Sequence, residues 1–146
     1  METLRMERHF SVPPQRVWDY VTKTEHLVTW WGPEGTTLGD HKLDFTELGP
    51  WFFVLIAPSG HATRVTGNVL AHDPPNWVEF TLYVPNPKGN AIDSTVRFEV
   101  SPAEGGAKFV LIQSGLTSEQ MVAASSMGWV STLTRLEEKL NAISST

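Results

Sequence analysis

SEQMVAASSMGWVSTLTRLEEKLNAISS (118–145) reads as one long amphipathic helix. Apolar residues recur at Met121, Ala124, Trp129, Leu133, Leu136 and Leu140, near the period of about 3.6 residues that marks one helix face. Its middle, Ser125-Ser126-Met127-Gly128, is a soft spot of small residues. Working outward, nearly everything from Thr36 to Ser114 reads as strand and turn. A terminal helix that follows a run of antiparallel strands must bury its stripe, and the sheet is the large apolar surface available. Such a helix is held either over a filled core or over a cavity. The small residues in mid-helix favour the cavity.

The strands show themselves by alternation. Val78, Phe80, Leu82 and Val84 oppose Trp77, Glu79, Thr81 and Tyr83; further on, Val96, Phe98 and Val100 oppose Thr95, Arg97 and Glu99. The spacing predicts strands over 4–10, 38–45, 51–57, 61–71, 77–84, 92–100 and 107–114. Turns at Leu48-Gly49-Pro50, Pro58-Ser59-Gly60, Asp73-Pro74-Pro75-Asn76, Pro85–Asn90 and Glu104-Gly105-Gly106 separate them. Two short helices precede this run. The first covers Pro14–Thr22, with proline tolerated in its opening turn. The second covers Glu25–Trp30, with Thr24 as its cap. Thr117 or Ser118 caps the terminal helix. The order is β-α-α, six strands, then α: an α+β class, with residues 1–146 expected to form a single domain.

Composition narrows the function classes. There is no cysteine among the 146 residues, which excludes a disulfide framework, thiolate catalysis and thiolate metal ligation and fits a cytoplasmic setting. The net charge is −5 and the eleven basic residues are scattered singly. Nucleic acid and anionic membrane surfaces, which call for clustered positive charge, are not expected partners. The longest apolar run, Trp51–Ala57, is far too short to span a bilayer. That run is apolar on both strand faces, so its outward face needs cover from a helix, a loop or a second subunit, as in a homodimer. The N-terminus carries no signal-peptide core.

The order of elements and several motifs resemble the helix-grip superfamily of START-like (SRPBCC) domains, and within it the family related to the activator of Hsp90 ATPase. The matching residues are Arg8-His9-Phe10 before Pro13-Pro14-Gln15-Arg16-Val17-Trp18, then Thr24 to Pro33 with its Trp30-Trp31-Gly32-Pro33. Gly67-Asn68-Val69-Leu70, Pro74-Pro75, Val78-Glu79-Phe80-Thr81 and Gly128-Trp129 continue the match. Nearly the whole chain is covered. The resemblance implies a curved sheet wrapped around the last helix, with a cavity commonly enclosed between them. Relatives include lipid or polyketide binders, cyclases and chaperone regulators, so it implies no single activity. At Gly49-Pro50-Trp51-Phe52-Phe53 this chain departs from the usual pattern of two glycines followed by an aromatic and a basic residue.

Ten residues are candidates for binding a small hydrophobic or aromatic molecule: Trp30, Trp31, Trp51, Phe53, Phe80, Phe98, Met121, Ser125, Gly128 and Trp129. Six tryptophans offer wide, rigid contact area; the alternative for each is plain core. Trp30 and Trp31 are adjacent, so only one of them is expected to face the interior. Gly128 either leaves room for a guest or lets the helix sit close against Phe80 or Phe98. No catalytic residue, cofactor site or metal ligand is assigned. The five histidines lack helical metal-ligand spacing, and no nucleophile elbow or phosphate loop occurs. Glu79, His72 and Gln113 reach the interior only if strand parity places them there. Three functions stay open: a binding domain for a small apolar molecule, an enzyme (cyclase, hydratase or hydrolase) acting in the same cavity, and a protein-interaction or chaperone-regulator module.

Overall fold

The computed structural model describes residues 2–85 and 91–144. Its elements run β1 (Glu2–Phe10), α1 (Pro14–Thr22), α2 (Thr24–Leu27), β2 (Thr37–Lys42), β3 (Gly49–Ile56), β4 (Ala62–Asp73), β5 (Trp77–Val84), β6 (Ile92–Ala103), β7 (Gly106–Leu116) and α3 (Glu119–Ser144). The seven strands form one antiparallel sheet in the order β1-β7-β6-β5-β4-β3-β2. Consecutive strands from β2 to β7 pair as hairpins, and β1 closes onto β7 from the far end of the chain. The sheet curves around α3, which is the helix-grip arrangement.

The alternation read from the sequence sets the two faces. On β5, Val78, Phe80 and Leu82 are buried; on β6, Val96, Phe98 and Val100 are. The register joins them into rows. Val78 lies opposite Phe98, and Phe98 opposite Leu111; Phe80 lies opposite Val96, and Val96 opposite Gln113. One buried polar residue, Gln113, thus sits in an apolar row. Glu79 is on the outer face, where Arg97 reaches it at 3.6 Å and Glu99 at 2.6 Å while stacking on Trp77 at 4.2 Å. The parity that would have buried Glu79 does not occur. At the β1–β7 edge, Lys108 lies 3.0 Å from Glu7 and Arg5 lies 3.4 Å from it. Lys108 first, then Arg5, holds this exposed carboxyl below its ordinary range.

Three local expectations change. The second helix is one turn, Thr24–Leu27, rather than Glu25–Trp30. Thr24 does not cap it; its hydroxyl donates to the Leu43 carbonyl at 2.7 Å, tying the helix to the segment after β2. That segment is no strand beyond Lys42. Leu43 and Phe45 leave the ladder and drop fully into the core, with the Phe45 amide bonded to the Thr22 carbonyl at 2.9 Å. Burial of an apolar ring there outweighs two more ladder bonds at an edge.

Of the two capping candidates for α3, Ser118 accepts from the Met121 amide at 3.1 Å, the N-cap bond. Beyond the cap, Trp129, Leu133, Leu136 and Leu140 are all buried. Three further ties hold α3 in place. Arg8 meets Glu137 at 3.0 Å. Arg135 donates to the carbonyls of Trp31 at 3.1 Å and Gly32 at 3.0 Å. The Glu34 amide donates to Ser131 Oγ at 2.8 Å.

Candidate ligand-binding site

Where α3 lifts from the sheet, a cleft of about 290 Å³ remains, near the lower limit of ordinary small-molecule sites, about 300–1,000 Å³. The helix contributes Ala124, Ser125, Gly128, Trp129 and Thr132. These positions are three, four and seven apart, so they share one face. The sheet contributes Phe53 and Leu55 from β3, Thr63 and Val65 from β4, Leu82 and Val84 from β5, Ile92 from β6, and Gln113 from β7. Trp31, Gly32 and Pro33 form the remaining wall, held there by the Arg135 and Ser131 bonds to α3. The cleft opens to solvent beside the exposed Ala124, where the sequence had suggested an enclosed space.

Gly128 is the reason room exists. A Cβ built on it would meet no atom within 4 Å. The alternative of close packing against Phe80 or Phe98 is therefore not what the glycine does. Glycine in mid-helix costs about 1 kcal/mol relative to alanine, and here that cost purchases no contact.

Five of the ten candidates line the cleft: Trp31, Phe53, Ser125, Gly128 and Trp129. The structure places the other five elsewhere. Trp30 is fully buried toward α1, its indole N–H donating to the Tyr20 carbonyl at 2.8 Å. Trp51, Phe80 and Phe98 form a solid aromatic block below the cleft. Phe45 is what fills that block: it stacks on Phe80 at 4.3 Å and meets Trp51 at 5.4 Å and Phe98 at 6.1 Å. Read as the end of a strand, it had not been recognised as a plug. Met121 is half-buried in the first turn of α3 and accepts a contact from the Thr117 hydroxyl at 3.1 Å. The turn expected over Pro85–Asn90 lies outside the described residues from position 86 on; Val84 and Ile92 on either side of it line the cleft.

The polar side of the cleft is a buried relay. Trp129 Nε1–H donates to Gln113 Oε1 at 2.9 Å, Gln113 Nε2 donates to Ser94 Oγ at 2.8 Å, and Ser94 donates to the Leu82 carbonyl at 3.3 Å. It ties α3 to three adjacent strands. Gln113 was recognised as a residue whose face depended on register; the β6–β7 pairing turns it inward. None of the described lining residues is Asp, Glu, His, Lys or Arg. Among the described residues, no three His, Cys, Asp or Glu side chains converge as a metal site would require, and no helix is long and apolar enough to cross a membrane.

A solved structure of the AHSA1 protein from Silicibacter pomeroyi is similar to this chain, with 35% identity over 97% of this chain and 99% of that one, and a TM-score of 0.89. A protein from Chromobacterium violaceum shares the fold at 21% identity, covering 94% of this chain and 96% of its own, with a TM-score of 0.83. The AHSA1-like protein from Aeromonas hydrophila does so at 15% identity, 97% and 94% coverage, and a TM-score of 0.77. No curated protein sequence matches this chain. The family described as Activator of Hsp90 ATPase homolog 1-like protein matches residues 11–141, nearly the full length, and the chain belongs to that family.

Proposed function

We propose that this protein binds a small, predominantly apolar molecule in the cleft between α3 and the sheet. The observation that carries this reading is the open space over Gly128, walled by Trp31, Phe53 and Trp129. Aromatic walls around an apolar space give an apolar guest its contact area. Catalysis is less well supported. Proton transfer calls for a group such as His, Glu, Asp or Lys within hydrogen-bond reach, and the described lining offers none. A cytoplasmic setting belongs to this reading; what supports it is the cysteine-free composition.

The test is Gly128→Leu. The new side chain points into open space, so the fold tolerates it and the helix gains propensity, about 0.8–1 kcal/mol. The guest loses its room. Affinity for an apolar probe such as naphthalene falls by about tenfold or more, while the thermal midpoint holds or rises. Unchanged binding in a folded Gly128→Leu protein would sink the reading.

A second reading, a protein-interaction module, has the family's description behind it. That family takes its name from an ATPase activator, and none of the three similar structures named above is described by a small ligand. The comparisons on their own support it better than the cleft. Met127 and Val130 stand exposed on the outer side of α3, and a homodimer over the outer face of β3 is one form it would take. Under this reading, adding the protein to a purified Hsp90 raises the rate of ATP hydrolysis severalfold; an unaltered rate over a tenfold molar excess removes it.

A further inference from the structure

The cleft is uncharged throughout its described lining, and a buried charge without a partner is strongly disfavoured. Four polar side chains nevertheless line it, Thr63, Gln113, Ser125 and Thr132, and in Gln113 and Ser125 the unused capacity lies on buried atoms. Gln113 is only 1% exposed. The Trp129 indole N–H is a donor with no acceptor role, so it fixes the carboxamide with Oε1 toward itself. Nε2 then faces Ser94, which takes one of its two N–H groups. The second has no acceptor among the described residues. Ser125, 8% exposed, has its Oγ closed off from water and bonded to nothing. Ser125 lies four residues before Trp129, which puts their side chains about 5–6 Å apart on one helix face. Both of these donors flank Trp129, Gln113 at its indole N–H and Ser125 one helical turn before it, in a lining whose other polar side chains are Thr63 and Thr132.

We propose that the ligand is an uncharged apolar molecule carrying a single carbonyl-type oxygen, seated with that oxygen at the Gln113–Ser125 end. It accepts from the free N–H of Gln113 and from the Ser125 hydroxyl, and its hydrocarbon body lies against Trp31 and Phe53. This rests on the cleft reading given above and adds the chemical class. The volume, equal to roughly ten waters at about 30 Å³ each, suits one or two fused rings. A carboxylate of the same shape is rejected because nothing in the described lining neutralises it.

Three probes of one shape separate the two claims: 2-acetylnaphthalene, naphthalene and 2-naphthoate, titrated by quenching of the intrinsic tryptophan fluorescence. In the wild-type protein the ketone binds about three- to tenfold more tightly than the hydrocarbon, the range that one or two net hydrogen bonds give. The naphthoate binds about tenfold more weakly than the ketone, or more weakly still. In Ser125→Ala the ketone's advantage over naphthalene shrinks to under about twofold. That variant removes a hydroxyl without a partner, so a thermal midpoint at or above the wild-type value verifies its fold. Equal binding of ketone and hydrocarbon overturns the proposal and leaves the cleft reading standing. So does an undiminished ketone preference in Ser125→Ala, or naphthoate binding as tight as the ketone's. If none of the three probes binds, the cleft reading itself falls and the proposal with it.

Discussion

Trp31→Ala is expected to lower the unfolding free energy by about 3–5 kcal/mol, the range for removing a large buried ring. Trp31 is the residue where the packing of the whole domain meets. Its ring lies 5.3 Å from Trp30, 5.5 Å from Phe45, 5.8 Å from Phe53 and 5.9 Å from Trp129, each pair edge to face. Each such pair contributes about 0.5–1.5 kcal/mol beyond area burial. The partners come from the α2–β2 segment, the β2–β3 segment, β3 and α3, so one truncation loosens four parts of the fold together. Collapse cannot repair it, because one side of the ring already borders open space at the cleft. For a domain whose total stability is about 5–15 kcal/mol, the loss is a large share. Urea unfolding followed by far-UV circular dichroism measures it. Trp31→Phe serves as the control and is expected to retain most of the stability. A Trp31→Ala protein within about 1 kcal/mol of wild type would mean that these ring contacts are not what holds the helix to the sheet.

Gly67→Ala is expected to cost about 3 kcal/mol, the upper part of the overpacking range. Gly67 lies opposite Trp51 in the β3–β4 register. A Cβ there would lie 2.6 Å from Trp51 Cζ2 and would run into the backbone carbonyl of Thr81. The backbone at Gly67 is ordinary extended strand, so the penalty is steric and owes nothing to φ. Neither obstacle can retreat: one is the main chain of β5, and the other is an indole buried to 2% exposure. The same substitution at Gly128 has the opposite sign, because nothing stands within 4 Å of the added atom. Gly67→Ala and Gly128→Ala therefore make a matched pair, read by thermal unfolding, with the first midpoint falling and the second rising. Both moving in the same direction would contradict the packing described for these two sites.

The pair also shows how far residue identity carries. Gly67 and Gly128 both lie inside an element, one in a strand pattern and one in a helix. Gly128 stands out as a glycine in mid-helix, and Gly67 enters only as part of a family motif. What differs is what stands opposite each, and that depends on register. Gln113 is the sharper example. A shift of one residue would have turned it out to solvent and left the Trp129 indole without an acceptor. The inward setting depends on β7 pairing with both β6 and β1, and β1 lies about a hundred residues away along the chain. Phe45 eluded the reading for a related reason. Its neighbours in sequence are polar and turn-forming, and the void it plugs is made by residues of β3, β5 and β6.

Local chemistry, then, was enough for the element order, the inner and outer faces of β5 and β6, the seat of α3, and the soft turn at Ser125–Gly128. Alternation and helical period act between neighbours a few residues apart, and those neighbours are adjacent in the chain. The cleft, its plug and its polar end came from contacts between segments far apart in sequence. Which ring fills a space and which leaves it open depends on strand pairing and on where the backbone bends, and a linear pattern of apolar residues carries neither.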